Sequence, residues 1–234
     1  MNYYVSLSSD SNPNYLTLLP LAAESFIRLG WTPLVTLIGV EESRARSLYR
    51  TVDLPNKPGT PSYLAAALVR FFAPELHGLQ EDDILTMSDA DMVILQDIFP
   101  EFDQESFYSI RHSFHGDWYP MCYSAGSVKV WRKLFPETWN EFIFPDNYWC
   151  LDEKLLRDRV RSSGIKKVDL FRYKREDRLI ECESRKLIDL HLHLGPSWNA
   201  RLNLKDEPQT ETYSPVWQKP NHLGRGVPIR KRNG

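Results

Sequence analysis

Cysteine is scarce in this chain. Its three cysteines, Cys122, Cys150 and Cys182, are odd in number, widely spaced and form no C-x-x-C pair. That pattern argues against a disulfide framework or a zinc site and favours a reduced, cytosolic setting. Long apolar runs are missing as well: nothing approaches the roughly eighteen consecutive apolar residues of a membrane span, so no transmembrane segment is expected. The opening Met1-Asn2-Tyr3-Tyr4-Val5 lacks a basic n-region and does not read as a signal peptide. Charge of one sign is not in excess, with 29 Lys and Arg against 31 Asp and Glu. A net charge of −2 leaves no global footprint for nucleic acid. There is no internal repeat and no low-complexity tract. At 234 residues the length allows one large domain or two small ones.

What is present is sharpest between Asp82 and Asp97. A short apolar run (Ile84, Leu85, Met87) stops at Ser88-Asp89-Ala90-Asp91, and a second (Met92 to Leu95) follows. An apolar run bounded by acidic residues reads as a buried central strand. Two carboxylates one residue apart at its end need a partner, because a buried charge is costly to leave alone. A hard divalent cation suits them, since it takes oxygen ligands and often holds substrate phosphates as well. In open α/β sheets ligands sit at the carboxyl ends of strands, which is where Asp89 and Asp91 fall. The competing reading is a solvated acidic pair on a surface turn.

The rest of the chain supplies the sheet. Tyr3 to Ser8 reads as a first strand, ending in the polar loop Ser8 to Asn14. Tyr15 to Leu29 has apolar residues at helical spacing, with Gly30 as its stop. Trp31 to Val40 reads as a second strand, followed by a short helix around Glu41 to Tyr49. Strand, helix, strand is the βαβ pattern of a parallel sheet. Val52 to Pro61 reads as a loop, and Ser62 to Leu79 as the strongest helix, with Ser62 its N-cap candidate. Asp97 to Gln104 reads as a turn or short helix, Phe107 to Ile110 as a strand, and Met121 to Gly126 as a strand entering a turn. Ser127 to Leu134 and Leu151 to Arg161 read as helices, Lys167 to Tyr173 and Leu187 to Leu194 as strands. His112, His115 and Asp117 share a loop, where isolated surface residues and a metal cluster are both open. Acidic residues at 152 and 153 also suit a helix N-terminus electrostatically. The aromatic-rich Trp139 to Trp149 could be core or an acceptor groove. The expected organisation is an α/β domain over residues 1–200 and a Pro-rich polar extension over 201–234. The basic Arg225 to Arg232 stretch reads as a mobile end or linker.

Taken together, these segments resemble the GT-A nucleotide-sugar glycosyltransferases, and within them the retaining family-eight branch. The resemblance is carried by Arg70-Phe71-Phe72-Ala73-Pro74-Glu75-Leu76, similar to that family's Arg-x-x-x-Pro-Glu-Leu segment, and by the Asp-x-Asp at Asp89 and Asp91. Asp97, Tyr123-Ser124-Ala125-Gly126, Asp152-Glu153 and His193-Leu194-Gly195-Pro196 fall where the family has an acidic residue, a small-residue segment, Asp-Gln and a late histidine loop. The resemblance implies a single GT-A (Rossmann-like) domain with a mixed, mostly parallel sheet flanked by helices. It implies Mn²⁺ or Mg²⁺ held by Asp89, Asp91 and His193, with His191 as the alternative ligand. It implies Ser8 and Asp10 beside the base and ribose, and Arg70, Asp89 and Ala90 on the donor. Asp152 or Glu153 would face the anomeric centre. The expected partners are a nucleoside-diphosphate sugar, most simply a UDP-sugar, and a carbohydrate acceptor, with transfer by retention. This chain departs from the family in having Glu153 in place of Gln and Ser197-Trp198-Asn199 where a late Lys is usual.

Two other readings stand beside it. Asp89-Ala90-Asp91-Met92-Val93 also fits the nucleophile motif of haloacid-dehalogenase-like phosphatases, with Asp89 phosphorylated and Asp91 as acid/base. Against that, the motif normally ends the first strand. A nucleotide-sugar-binding domain without turnover is the third reading.

Overall fold

The computed structural model describes residues 1–41, 45–111, 119–145, 151–176, 187–192 and 198–203. In chain order the elements are β1 (Tyr3–Ser9), α1 (Pro13–Ile27), β2 (Thr32–Ile38), α2 (Ala45–Leu48), β3 (Arg50–Leu54) and α3 (Ser62–Val69). A single 3-10 turn (Arg70–Phe72) then leads to α4 (Ala73–Leu76), β4 (Ile84–Met87), β5 (Met92–Ile94), β6 (Ser106–Arg111) and β7 (Ala125–Ser127). The remainder is α5 (Val128–Leu134), α6 (Leu151–Ser163), β8 (Lys166–Glu176), β9 (Leu187–Leu192) and β10 (Trp198–Asn203).

One mixed sheet runs in the order β3-β2-β1-β4-β7-β6-β8-β10-β9-β5. The pairs β2–β3, β1–β2, β1–β4 and β6–β8 are parallel, while β7 joins β4 to β6 antiparallel. Beyond β8 every pairing is antiparallel. The architecture is therefore α/β, as expected, with helices packed against a mostly parallel seven-strand stretch.

Both faces of the parallel strands are covered, which is why they read as continuous apolar runs. Along β2, Leu34 and Ile38 enter one core with Leu64, Leu68 and Val69 of α3, while Val35 and Leu37 enter the other with Leu19, Ala22 and Phe26 of α1. On β1, Val5 and Leu7 face α1. Ser6 and Ser8 turn instead to α3, donating to the carbonyls of Arg70 at 3.3 Å and Ala66 at 2.5 Å. Small hydroxyls at these two positions satisfy carbonyls that the tight end of α3 would otherwise bury.

Several expected boundaries move, each for a local reason. The helix expected over 62–79 is broken, because Pro74 has no N–H to give to Arg70 and its ring crowds that turn. The chain tightens into the 3-10 turn just before it. Ser62 does not cap α3: it is the first helical residue, Pro61 holds the cap position, and no side chain caps the end. The loop expected from Val52 contains the end of β3, a half-exposed strand whose mixed sequence hides its pairing with β2. Around residues 121–126 the order is reversed, with a turn at Met121–Tyr123 preceding the short strand β7. Gly126 in that strand is a packing requirement, since a Cβ there would stand 3.2 Å from the Ser106 carbonyl and from Val130. Strand β10 runs through the boundary expected at residue 200, so the sheet continues to Asn203. The His112, His115 and Asp117 loop, Trp149, residues 193–197 and the basic C-terminal stretch lie outside the described residues. Among the described residues no helix is long and apolar enough to cross a membrane.

Candidate functional site

The sequence of connections makes a crevice. From β1 the chain steps to β2 and β3 on one side, then returns through α3 to place β4 on the other side of β1. The loops leaving β1 and β4 therefore diverge, and a cleft opens where the strand order switches. It holds about 350 Å³ and is lined by Ser8, Asp10, Tyr15, Tyr63, Arg70 and the acidic turn Asp89–Asp91, with Asp152 arriving from α6.

At the β1 side, Asp10 is 7 % exposed and both its oxygens are engaged. Oδ1 accepts the Asn12 amide at 3.0 Å and Oδ2 accepts the Ser62 hydroxyl at 2.8 Å. Asn12 in turn caps α1, its side chain accepting from the Asn14 amide at 3.0 Å. At the β4 side, the ladder continues one step past the strand, with the Ser88 amide on the Ser6 carbonyl at 3.1 Å. The acidic turn then closes through the Met92 amide on the Asp89 carbonyl at 3.2 Å. Behind it, the Met87 amide bonds the Ser124 carbonyl at 2.9 Å and the Tyr123 amide bonds the Met87 carbonyl at 3.2 Å. Tyr123 sits at φ 68°, a left-handed conformation costing a bulky residue on the order of 1 kcal/mol. The Tyr123–Gly126 segment, similar to the family's small-residue segment, thus buttresses β4 from behind and does not line the cleft.

Arg70 joins the two sides. Its side chain is buried, placed at the cleft by the 3-10 turn that Pro74 imposes. Nη1 donates to Asp89 Oδ1 at 2.5 Å and to the Ser88 carbonyl at 2.8 Å. Nη2 donates to Asp152 Oδ2 at 3.0 Å, and Nε to the Ala67 carbonyl at 3.1 Å. The planar fork expected on the phosphate or the sugar of the donor is engaged here by two carboxylates and two carbonyls. Burial alone would lower the Arg70 pKa, but Asp89 and Asp152 outweigh it and hold the guanidinium charged. Asp152 is pushed up by burial, pulled down by Arg70 and pushed up again by Asp89, with a net rise. The Tyr15 phenol is likewise raised, first by burial and then by the fields of Asp91, Asp89 and Asp10.

Ser8, Asp10, Arg70, Asp89, Ala90, Asp91 and Asp152 thus all line one cleft. Glu153 does not line it; its amide donates to Asp152 Oδ1 at 3.0 Å. Asp97 is exposed and away from the cleft, accepting the Phe99 amide at 3.1 Å. His193 lies outside the described residues. The backbone of His191 pairs with Met92, and the Leu192 amide donates to the Asp91 carbonyl at 2.7 Å, so β9 ends against the acidic turn. Sequence reasoning missed Tyr15, Ser62 and Tyr63. For Tyr63 the signal was available: residues 63, 66, 67 and 70 share one helical face, so fixing Arg70 in the cleft fixes the others.

Among the described residues no group of three or more His, Cys, Asp or Glu side chains is arranged to hold a metal. Asp89 and Asp91 are two carboxylates lining an open cleft, which matches the one or two that Mg²⁺-type sites use beside substrate phosphates and water. The charge balance points the same way. Asp10, Asp89, Asp91 and Asp152 face a single guanidinium among the lining residues, an excess of three negative charges.

No protein-family model matches the sequence. No curated protein matches it either. Solved structures do resemble the fold distantly. The glycosyltransferase GlyE of Streptococcus pneumoniae TIGR4 is 14% identical with a TM-score of 0.47, over 72% of this chain and 45% of that one. S. aureus TarS is 9% identical with a TM-score of 0.42, over 72% of this chain and 35% of that one. The nucleoside-diphosphate-sugar pyrophosphorylase of Vibrio cholerae RC9 is 12% identical with a TM-score of 0.41, over 71% of this chain and 92% of that one. This chain spans less than half the length of the GlyE and TarS structures it matches. Likenesses this distant carry no functional assignment, which rests on the residues of the cleft.

Proposed function

We propose that this chain is a metal-dependent glycosyltransferase that takes a nucleoside-diphosphate sugar, most simply a UDP-sugar, and passes the sugar to a hydroxyl of a carbohydrate acceptor. The observation that carries the reading is the charge of the cleft. Four carboxylates against one arginine repel a diphosphate, so an anionic donor enters only with a cation that the Asp89–Asp91 turn can hold.

Asp89, Asp91 and a late histidine, His193 or else His191, would hold Mn²⁺ or Mg²⁺. Bound there, the cation would offset the charge that builds on the leaving nucleoside diphosphate. Ser8 and Asp10 would border base and ribose, with Asp10 fixed in orientation by its two donors. Ala90 would let the donor approach the turn closely. Arg70 acts as a positioning residue: its fork holds Asp152 at a set distance from Asp89. Asp152 is the carboxylate that would face the anomeric carbon, since Glu153 lies off the cleft. The pairing of Asp89 Oδ1 with Arg70 weakens that carboxylate as a nucleophile, which counts against the phosphatase reading.

The test is release of UDP from a panel of UDP-sugars in Mn²⁺ by wild type and by Asp91→Asn. Turnover is expected in the wild type and a loss of at least roughly 100-fold in the variant, the scale of a disrupted metal site. Undiminished turnover in the variant would sink the metal assignment. Fluoride-sensitive hydrolysis of a simple phosphate ester, without UDP release, would favour the phosphatase. The product anomer, expected with retention, is read by proton NMR.

A further inference from the structure

Ser62 is the residue whose behaviour departs furthest from what its local sequence predicts. A serine at the start of a helix normally caps it, accepting a backbone N–H with its own oxygen. Here Ser62 is inside the helix, no side chain caps α3, and the hydroxyl donates to Asp10 Oδ2 at 2.8 Å. The bond spans 52 residues of sequence and ends on Asp10, which lines the cleft. It ties the loop after β1 to the first turn of the helix that carries Tyr63, Ala66, Ala67 and Arg70, all of which line the cleft. The serine serves a contact at a site and not the helix end, the kind of local inconsistency that functional positions carry.

The consequence is orientational. Asp10 is nearly buried, and Asn12 fixes only one of its oxygens. With that contact alone the carboxylate could swing about the Cβ–Cγ bond. Ser62 removes this freedom by holding the second oxygen of a carboxylate that lines the cleft. The Ser62 bond also uses the hydroxyl of a small, half-exposed residue, so its removal takes only one oxygen atom from the surface of α3.

We propose that Ser62 is a positioning residue for donor recognition: it orients Asp10 to accept from a hydroxyl or N–H of the nucleoside. This rests on the nucleotide-sugar reading above. The role is confined to nucleoside affinity, because Ser62 touches neither the acidic turn nor Asp152.

The test compares wild type, Ser62→Ala and Ser62→Thr by calorimetric titration of UDP in Mn²⁺, with steady-state release of UDP from whichever UDP-sugar turns over. Ser62→Ala is expected to weaken UDP binding and raise KM about tenfold, the size of one charge-assisted hydrogen bond, with kcat within roughly twofold. Ser62→Thr, which keeps the hydroxyl, should restore both. Unchanged UDP affinity in Ser62→Ala overturns the role while leaving the parent reading standing. A fall in kcat and thermal midpoint that Ser62→Thr does not rescue overturns it too, because a purely structural contact behaves that way. If the wild type itself binds no UDP in Mn²⁺, the nucleotide-sugar reading fails, and the Ser62 role fails with it.

Discussion

The parallel end of the sheet, β3-β2-β1-β4, and the antiparallel end, β8-β10-β9-β5, are built by different rules. The parallel strands are buried on both faces by helices, and their carboxyl ends open together at the strand-order switch. The antiparallel strands are sequence neighbours or edge pieces, and β5 is only three residues long. Almost all of the site's charge is gathered at the parallel end. The antiparallel end contributes backbone contact, through the Leu192 amide on the Asp91 carbonyl. The contrast teaches that burial and function are coupled here: the same coverage that makes the parallel strands apolar is what makes charges at their ends expensive and therefore purposeful.

Breaking the charged centre should have the largest effect. Arg70→Met removes the buried cation between Asp89 and Asp152 and leaves two partly exposed carboxylates facing each other at the cleft. The loss expected is about 3 kcal/mol, the low end for buried pairs stripped of one partner, because water reaches both carboxylates. By calorimetry this is a fall in thermal midpoint of roughly 10 °C for a chain of this size. Adding Asp89→Asn and Asp152→Asn should recover much of the loss; no recovery would show that the cost is packing and not charge.

A second, smaller effect sharpens the contrast within the parallel end itself. His77 is 2 % exposed beneath β2, with Nε2 3.3 Å from Thr36 Oγ1 and, among the described residues, no partner for Nδ1. Burial, with Arg50 beside it, lowers its pKa from 6.5 to about 4. The folded state thus binds its proton later than the unfolded state as pH falls. Stability is full above pH 6.5 and is lost progressively as pH drops toward 4. Between pH 7 and pH 5 the expected loss is about 2 kcal/mol from this residue. Urea midpoints at the two pH values should differ less in His77→Leu than in wild type; an equal difference would remove His77 from the account. The smallest effect belongs to the surface. Lys129 and Glu105 form an ion pair with both side chains more than half exposed, and Lys129→Gln should not move the thermal midpoint measurably.

These contrasts track what the sequence revealed. β1, β2, β4 and α1 were legible because two-sided burial writes continuous apolar runs or helical spacing. The acidic turn was legible because charges interrupt such a run at Asp89 and Asp91. β3 was not, since Arg50-Thr51-Val52-Asp53-Leu54 opens on two polar residues, and β10 was passed over although Trp198-Asn199-Ala200-Arg201-Leu202-Asn203 alternates apolar and polar residues with a strand's period of two. The meeting of Arg70 with Asp152 joins residues 82 apart and depends on how α6 is seated, which no local pattern records. Ser62 reads as a cap because helix-start statistics describe an isolated helix, whereas here Pro61 takes the cap position and the Ser62 hydroxyl donates to Asp10.

The central claim is that the parallel end holds a cation-dependent diphosphate site. Its most direct test is calorimetric titration of UDP, with GDP as control, in Mn²⁺ and again in EDTA. The account predicts UDP binding in Mn²⁺ that disappears in EDTA and is lost in Asp91→Asn. Binding that is indifferent to EDTA, or no nucleotide binding in either condition, would contradict it.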